Sequence, residues 1–177
     1  PGTMKMIKDR FTSMKYEKDR KVYYLCGRIH REWDLPAIVH HINGNEKWYI
    51  HGKQHRDGDK PAVVDGDNKE WWVNGMRHRN GDKPAITCGD GKKEWWVNGK
   101  LHRDGDKPAY IFGDKRFWVV NGKYHRDGDK PAIVDGDNKE WYVNGKYHRD
   151  GDKPAVISGD TKEWWVNGIC IWVTKIE

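Results

Sequence analysis

The tripeptide His-Arg-Asp occurs four times, as His55-Arg56-Asp57, His102-Arg103-Asp104, His125-Arg126-Asp127 and His148-Arg149-Asp150. Imidazole beside a carboxylate is the raw material of general acid–base chemistry. The same tripeptide sits in kinase catalytic loops, but no Gly-rich phosphate loop, partner lysine or Asp-Phe-Gly accompanies it here. Catalysis needs one asymmetric site, whereas a group that returns in every unit serves the unit. The expected role of this His is to tie its loop to a neighbour through a ring nitrogen, and no residue is expected to be catalytic. Asp65-Gly66-Asp67-Asn68 has some of the flavour of a calcium loop. A calcium site needs six to eight oxygens and a bidentate carboxylate at a fixed offset, and Asp-Gly steps are first of all turn formers. No metal and no cofactor are therefore expected.

The remaining chemistry lies in the aromatic rings. The chain holds 11 Trp, 8 Tyr and 3 Phe, although only 36% of its residues are hydrophobic and its mean hydropathy is −1.06. Disordered chains are poor in such rings, so this one is expected to fold. Its three cysteines (Cys26, Cys88, Cys170) form no CxxC pair, unlike a disulfide-dense secreted scaffold. A reducing compartment follows as the expectation, intracellular and cytoplasmic. No apolar run reaches the length of a membrane span and no signal-peptide apolar region opens the chain. Pro1-Gly2-Thr3 before Met4 reads as an expression scar.

These residues sit on a repeat. Anchor glycines fall at Gly27, Gly52, Gly75, Gly99, Gly122, Gly145 and Gly168, spaced 25, 23, 24, 23, 23 and 23 apart. A Pro-Ala step keeps the same rhythm at Pro36, Pro61, Pro84, Pro108, Pro131 and Pro154. Four residues before each glycine stands an aromatic: Tyr23, Trp48, Trp71, Trp95, Trp118, Trp141, Trp164. Two before it stands a β-branched or aliphatic residue, as at Val73, Val97 and Val143. That alternation predicts a strand with one buried face. A second short apolar run follows each Pro-Ala, Asn-Gly marks a tight hairpin turn, and Gly-Asp joins the two runs. Each unit thus reads as two strands of about five residues joined by a turn, with a charged loop to the next.

The stretch Glu94 to Ala109, Glu-Trp-Trp-Val-Asn-Gly-Lys-Leu-His-Arg-Asp-Gly-Asp-Lys-Pro-Ala, resembles MORN and MORN-like repeats. Those are β-hairpin units of this same length, with an aromatic strand followed by Asn-Gly-Lys. The likeness runs from about residue 22 to 173. His-Arg-Asp-Gly-Asp-Lys-Pro-Ala replaces the Gly-x-Gly that follows the Lys in the usual unit, so the chain is similar to a divergent subfamily. The resemblance implies a scaffold or binding role. The expected fold is all-β: tandem antiparallel hairpins stacked into an elongated, twisted single sheet. Residues 1–21 read as a basic N-terminal segment and 22–177 as a six-unit array with atypical capping ends.

The net charge of +6 is uneven. Residues 1–21 hold seven basic and three acidic side chains. Within the loops, Arg-Asp-Gly-Asp-Lys sums to zero and is expected to form a solvated ladder of weak pairs between units. Two sets of residues are candidates for binding. One is the second aromatic row, three before each glycine: Tyr49, Trp72, Trp96, Tyr142 and Trp165, which must face opposite to the first row. The other is the variable position two after each glycine, represented by Arg77, Tyr124 and Tyr147. The function expected is a non-catalytic scaffold for protein–protein interaction. The alternative is an anionic surface, lipid headgroup or nucleic acid, bound through basic and aromatic residues. The terminal run Ile169 to Val173 is a pairing hazard, implying homodimers through ends or edge strands.

Overall fold

The computed structural model describes residues 12–175; Lys5, Lys8 and Arg10 of the basic segment and the Pro1-Gly2-Thr3 stretch lie outside them. The described chain is all-β and forms two units, one ending at Met76 and one beginning at Arg77. Among the described residues no helix is long and apolar enough to cross a membrane.

In both units hairpins stack in chain order, every pairing antiparallel. The first unit runs Thr12–Glu17, Arg20–Leu25, Ile38–His40, Glu46–Lys47, Val63–Asp65, Asn68–Glu70. In the second the order is Ile86–Thr87, Lys93–Glu94, Tyr110–Phe112, Lys115–Phe117, Ile133–Asp135, Asn138–Glu140, Val156–Ser158, Thr161–Val166, Ile169–Lys175. Consecutive pairing of short hairpins is what tandem repeats dictate, because each hairpin buries its apolar face only against its neighbours.

The repeat differs in one respect from two strands of five residues. The sheet strand stops at the first aromatic, and the chain resumes as a separate two-residue ladder around the tight turn: Trp96–Val97 with Lys100–Leu101, Val119–Val120 with Lys123–Tyr124, and Tyr142–Val143 with Lys146–Tyr147. The reason is a backbone detour. Trp95, Trp118 and Trp141 donate their N–H to the carbonyls of Ala109, Ala132 and Ala155, and each Ala N–H bonds the strand beyond. Because the strand turns aside there, the valine two residues before the glycine does not share the buried face with the tryptophan. Val97 and Val143 are exposed, while Trp48, Trp71, Trp95 and Trp141 are buried.

The tight turns are the mirror-image two-residue type, with positive φ at both central positions: Asn98 at 49° and Gly99 at 76°, for example. Asn and Gly tolerate that region best, and Cys26 and His51 adopt it without being either. Turn is tied to turn. The N–H of Gly52, Gly75, Gly99, Gly122, Gly145 and Gly168 donates to the carbonyl of Ile29, Gln54, Arg77, Leu101, Tyr124 and Tyr147 respectively. The variable position therefore does constant backbone work while its side chain changes.

The core is thin. Besides the tryptophans it holds a row of alanines, Ala37, Ala62, Ala85, Ala109, Ala132 and Ala155, each with no exposed surface. At both ends the long charged loop gives way to a straight strand. Thr12–Glu17 pairs along the whole of Arg20–Leu25, and Ile169–Lys175 pairs along Thr161–Val166 with one irregularity at Trp164/Trp165. Extra side-chain volume in the alanine row has nowhere to go. Ala132→Val is expected to lower stability by about 1–3 kcal/mol, read as a lower urea midpoint, whereas Lys139→Val on the exposed face should stay within about 0.5 kcal/mol of the parent.

Candidate functional site

The His-Arg-Asp loops are built from the backbone outward. The N–H of His102 bonds the carbonyl of Trp95, closing the loop's entry at 2.9 Å. Its Nδ1 accepts the backbone N–H of Asn121, in the next tight turn, at 3.0 Å. A backbone N–H can only donate, so Nδ1 carries the lone pair and Nε2 the proton. That proton is directed at Oδ1 of Asp104, 3.1 Å away. The same arrangement holds at His55, His125 and His148, and at His78 with Asn80 in the place of the Asp. Both ring nitrogens are committed, one of them to a turn of the following repeat. That leaves no imidazole lone pair to act as a base.

The arginine is not the solvated side chain that the loop's charge balance implied. The Arg103 guanidinium lies over the Trp95 ring, 3.8 Å from its centre, and is only 14% exposed. Its Nε and terminal nitrogen fork the Asp82 carboxylate at 2.6 and 3.3 Å, and its other nitrogen caps the Pro108 carbonyl. Lys107 adds a 2.7 Å bond to the same carboxylate. Asp82 belongs to the loop before Trp95, so each loop's cations grip the carboxylate of the preceding loop. The set recurs as Arg56 and Lys60 on Asp34, Arg126 and Lys130 on Asp106, and Arg149 and Lys153 on Asp129. Hydrogen bonds from Arg and then Lys hold Asp34 and Asp82 down at about 2, and push Asp106 and Asp129 lower still.

One heptapeptide, Arg-Asp-Gly-Asp-Lys-Pro-Ala, takes two backbone forms. At residues 56–62 its second aspartate, Asp59, has φ 54° and turns its carbonyl to accept the indole N–H of Trp71. Asp34 and Asp82 do the same for Trp48 and Trp95. At 103–109 and 126–132 the aspartate is not left-handed; Lys107 and Lys130 donate instead to Gly105 and Gly128. The indole nitrogens of Trp118, Trp141 and Trp164 then lack a partner among the described residues.

Neighbouring loops enclose clefts. One of about 390 Å³ lies between residues 30–34 and 55–60, and three more, of about 430, 290 and 440 Å³, lie between successive loops from His78 to Lys153. The floor of each is a first-row tryptophan with the two residues after it, and the walls are the charged loops.

The second aromatic row and the variable position, read separately from the sequence, come together. Tyr142 faces Tyr147 across its hairpin, Tyr49 faces Gln54, and Trp96 faces Leu101. Three variable side chains also lean on the next ring along: Arg77 over Trp96, Tyr124 against Tyr142, Tyr147 against Trp165. The rings of Tyr110, Phe117, Tyr124, Tyr142, Tyr147 and Trp165 form a continuous series of contacts, neighbouring centroids 4.2–5.9 Å apart. Trp72, Trp96 and Trp165 donate their indole N–H to the glutamate two residues before, and Tyr142 and Tyr147 share Glu140. Burial, reinforced by those bonds, holds the Tyr142 hydroxyl well above its ordinary range. The row is half-buried, and within it Tyr142 and Trp165 have tyrosines from the variable position against their rings.

No family model, no curated protein and no solved structure matches this chain.

Sequence reasoning missed the alanine row and the arginine's place over the tryptophan. The constant His-Arg spacing after every first-row aromatic but Trp164 was the available signal for the second. The carboxylates fix the acid response. Their folded pKa values lie below the ordinary ~3.9, so the clasp's contribution is complete above about pH 4 and is lost as pH falls toward 2. Thermal melts should fall steeply over that window. Asp129→Asn should lower the melting temperature at pH 7 and shrink the acid drop; an unchanged drop in that variant would remove the carboxylates as its cause.

Proposed function

We propose that this chain is a non-catalytic binding scaffold for a protein partner, built from a divergent form of MORN-like repeat. The observation that carries the reading is the last strand, Ile169–Lys175. It is the longest strand described, paired on one side with Thr161–Val166. Ile169, Ile171, Trp172 and Val173 are 51–66% exposed, with Cys170 exposed among them. Edge strands are normally blunted by charge, proline or cover. The strand at the other end carries Lys15 and Glu17 within Thr12–Glu17, whereas the final strand has no charge before Lys175. An apolar edge of this length suits an added strand from another polypeptide, backbone bonds supplying affinity and alternate side chains specificity.

The anionic-surface reading draws its support from the basic segment at residues 1–21. The loop cations favour it less, since the lysines and arginines described above are matched to aspartates. In the protein-scaffold reading the committed imidazoles and guanidiniums hold the repeats, and recognition is left to edges and side chains that vary.

Affinity capture with the full chain and with Ile171→Lys tests the proposal. A partner held by the parent and lost at least tenfold by the variant is the expected result, with melting temperature unchanged. Identical capture by both, or capture that collapses above roughly 0.2 M salt in the manner of charge-driven binding, would remove the edge strand as the binding element.

A further inference from the structure

One cleft differs from the rest in its chemistry. The loop His30-Arg31-Glu32-Trp33-Asp34-Leu35-Pro36-Ala37 occupies the place of His55 to Ala62 and its later copies. Where the other loops have Gly58, Gly81, Gly105, Gly128 and Gly151, all with φ between 65° and 76°, this one has Trp33 at φ 62°. A bulky side chain is strained in that region. It is also 82% exposed, so neither backbone preference nor burial accounts for a tryptophan there.

The neighbouring residue departs as well. In the other loops the His Nε2 proton meets an Asp or Asn oxygen at 2.8–3.1 Å. Here Glu32, one methylene longer, leaves its carboxylate 3.7 Å from His30 Nε2, too far for a hydrogen bond. His30 is 4% exposed, its Nδ1 takes the N–H of His51, its ring stacks on His51, and its Nε2 has no hydrogen-bond partner among the described residues. A buried donor without an acceptor and a half-exposed carboxylate with free lone pairs thus stand side by side, in the cleft whose lining includes Trp33.

We propose that this cleft, with Trp33 as its platform, is a binding site for a neutral saccharide ring. A hydroxyl accepts from His30 and donates to Glu32 once that half-exposed side chain turns aside; a cation offers no acceptor and an anion no donor. The charges of the cleft balance, Arg31, Arg56 and Lys60 against Glu32, Asp34 and Asp57. Arg56 and Lys60 are already held by Asp34, and Arg31 lies over Tyr23 and caps Pro36. An uncharged ligand is what such a balance favours. The exposed indole face receives the apolar face of a pyranose, as aromatic platforms do when one side of the ligand is apolar and its rim is polar.

The test converts this loop into its siblings. Trp33→Gly and Glu32→Asp each install the residue type found in other loops, removing strain in one case and restoring the His–carboxylate bond in the other. The full chain is screened against immobilised neutral gluco-, galacto-, manno- and chito-oligosaccharides, and the best binder is titrated by tryptophan fluorescence. Binding of at least one saccharide is expected, weakened tenfold or more by Trp33→Gly and weakened by Glu32→Asp, with melting temperatures equal to or above the parent's. No saccharide bound, equal affinity in Trp33→Gly, or a melting temperature lowered by that variant would each overturn the proposal. So would tighter binding of a Lys-rich peptide than of any saccharide. Ile171→Lys should leave saccharide affinity untouched, which separates this site from the terminal strand.

Discussion

An arginine laid flat on a tryptophan, with its edge gripping the carboxylate of the loop before, is the interaction on which these repeats depend. It does three jobs with one planar group. The face covers an indole that would otherwise lie open, the fork fixes the distance to the preceding loop, and the remaining nitrogen satisfies a proline carbonyl. Lysine lacks the plane and the fork. The charge is also well placed energetically: with the guanidinium about 15% exposed, the ion pair is less screened than a surface pair, yet the carboxylate stays wet enough to avoid the full cost of burial. The partner lysines, more than half exposed, contribute little beyond register.

Within each unit these clasps join a loop to the one before and the histidines join a loop to the turn after, so repeats are bound in both directions by different chemistry. Stability of this kind is passed between neighbours rather than stored in a central core. It also accounts for the ends. Past the last regular loop there is no arginine for Trp164, and Trp172 stacks on it instead, centroids 5.4 Å apart; Asp152 has no guanidinium partner among the described residues. Among the described residues straight strands flank the regular repeats on both sides, Thr12–Glu17 on one and the apolar Ile169–Lys175 on the other.

The same division separates holding residues from recognising ones. Histidine, arginine, proline, alanine and the aspartates at 34, 82, 106 and 129 are occupied within the array. Outside that holding set stand the exposed apolar side chains of the final strand and the one loop where Glu32 and Trp33 break the pattern at a cost in backbone strain. A departure that stability does not explain is the sign of a site under another demand.

Sequence by itself determined the hairpin register, because Asn-Gly and Pro-Ala keep one spacing and turn chemistry is local. It also determined that no unit could stand alone, since two short strands bury too little. It did not reveal that the strand breaks at the first tryptophan, leaving Val97 and Val143 exposed, because the alanine that takes the tryptophan's N–H lies in the next hairpin. Nor did it place the arginine over the ring or hide the second aromatic row, whose rings are covered by side chains from adjacent repeats. The clearest case is Arg-Asp-Gly-Asp-Lys-Pro-Ala, one sequence with two backbone forms. The same seven residues surround Asp59 and Asp106, so the heptapeptide cannot select its own form; that is a decision only the tertiary structure makes, through neighbouring repeats that differ.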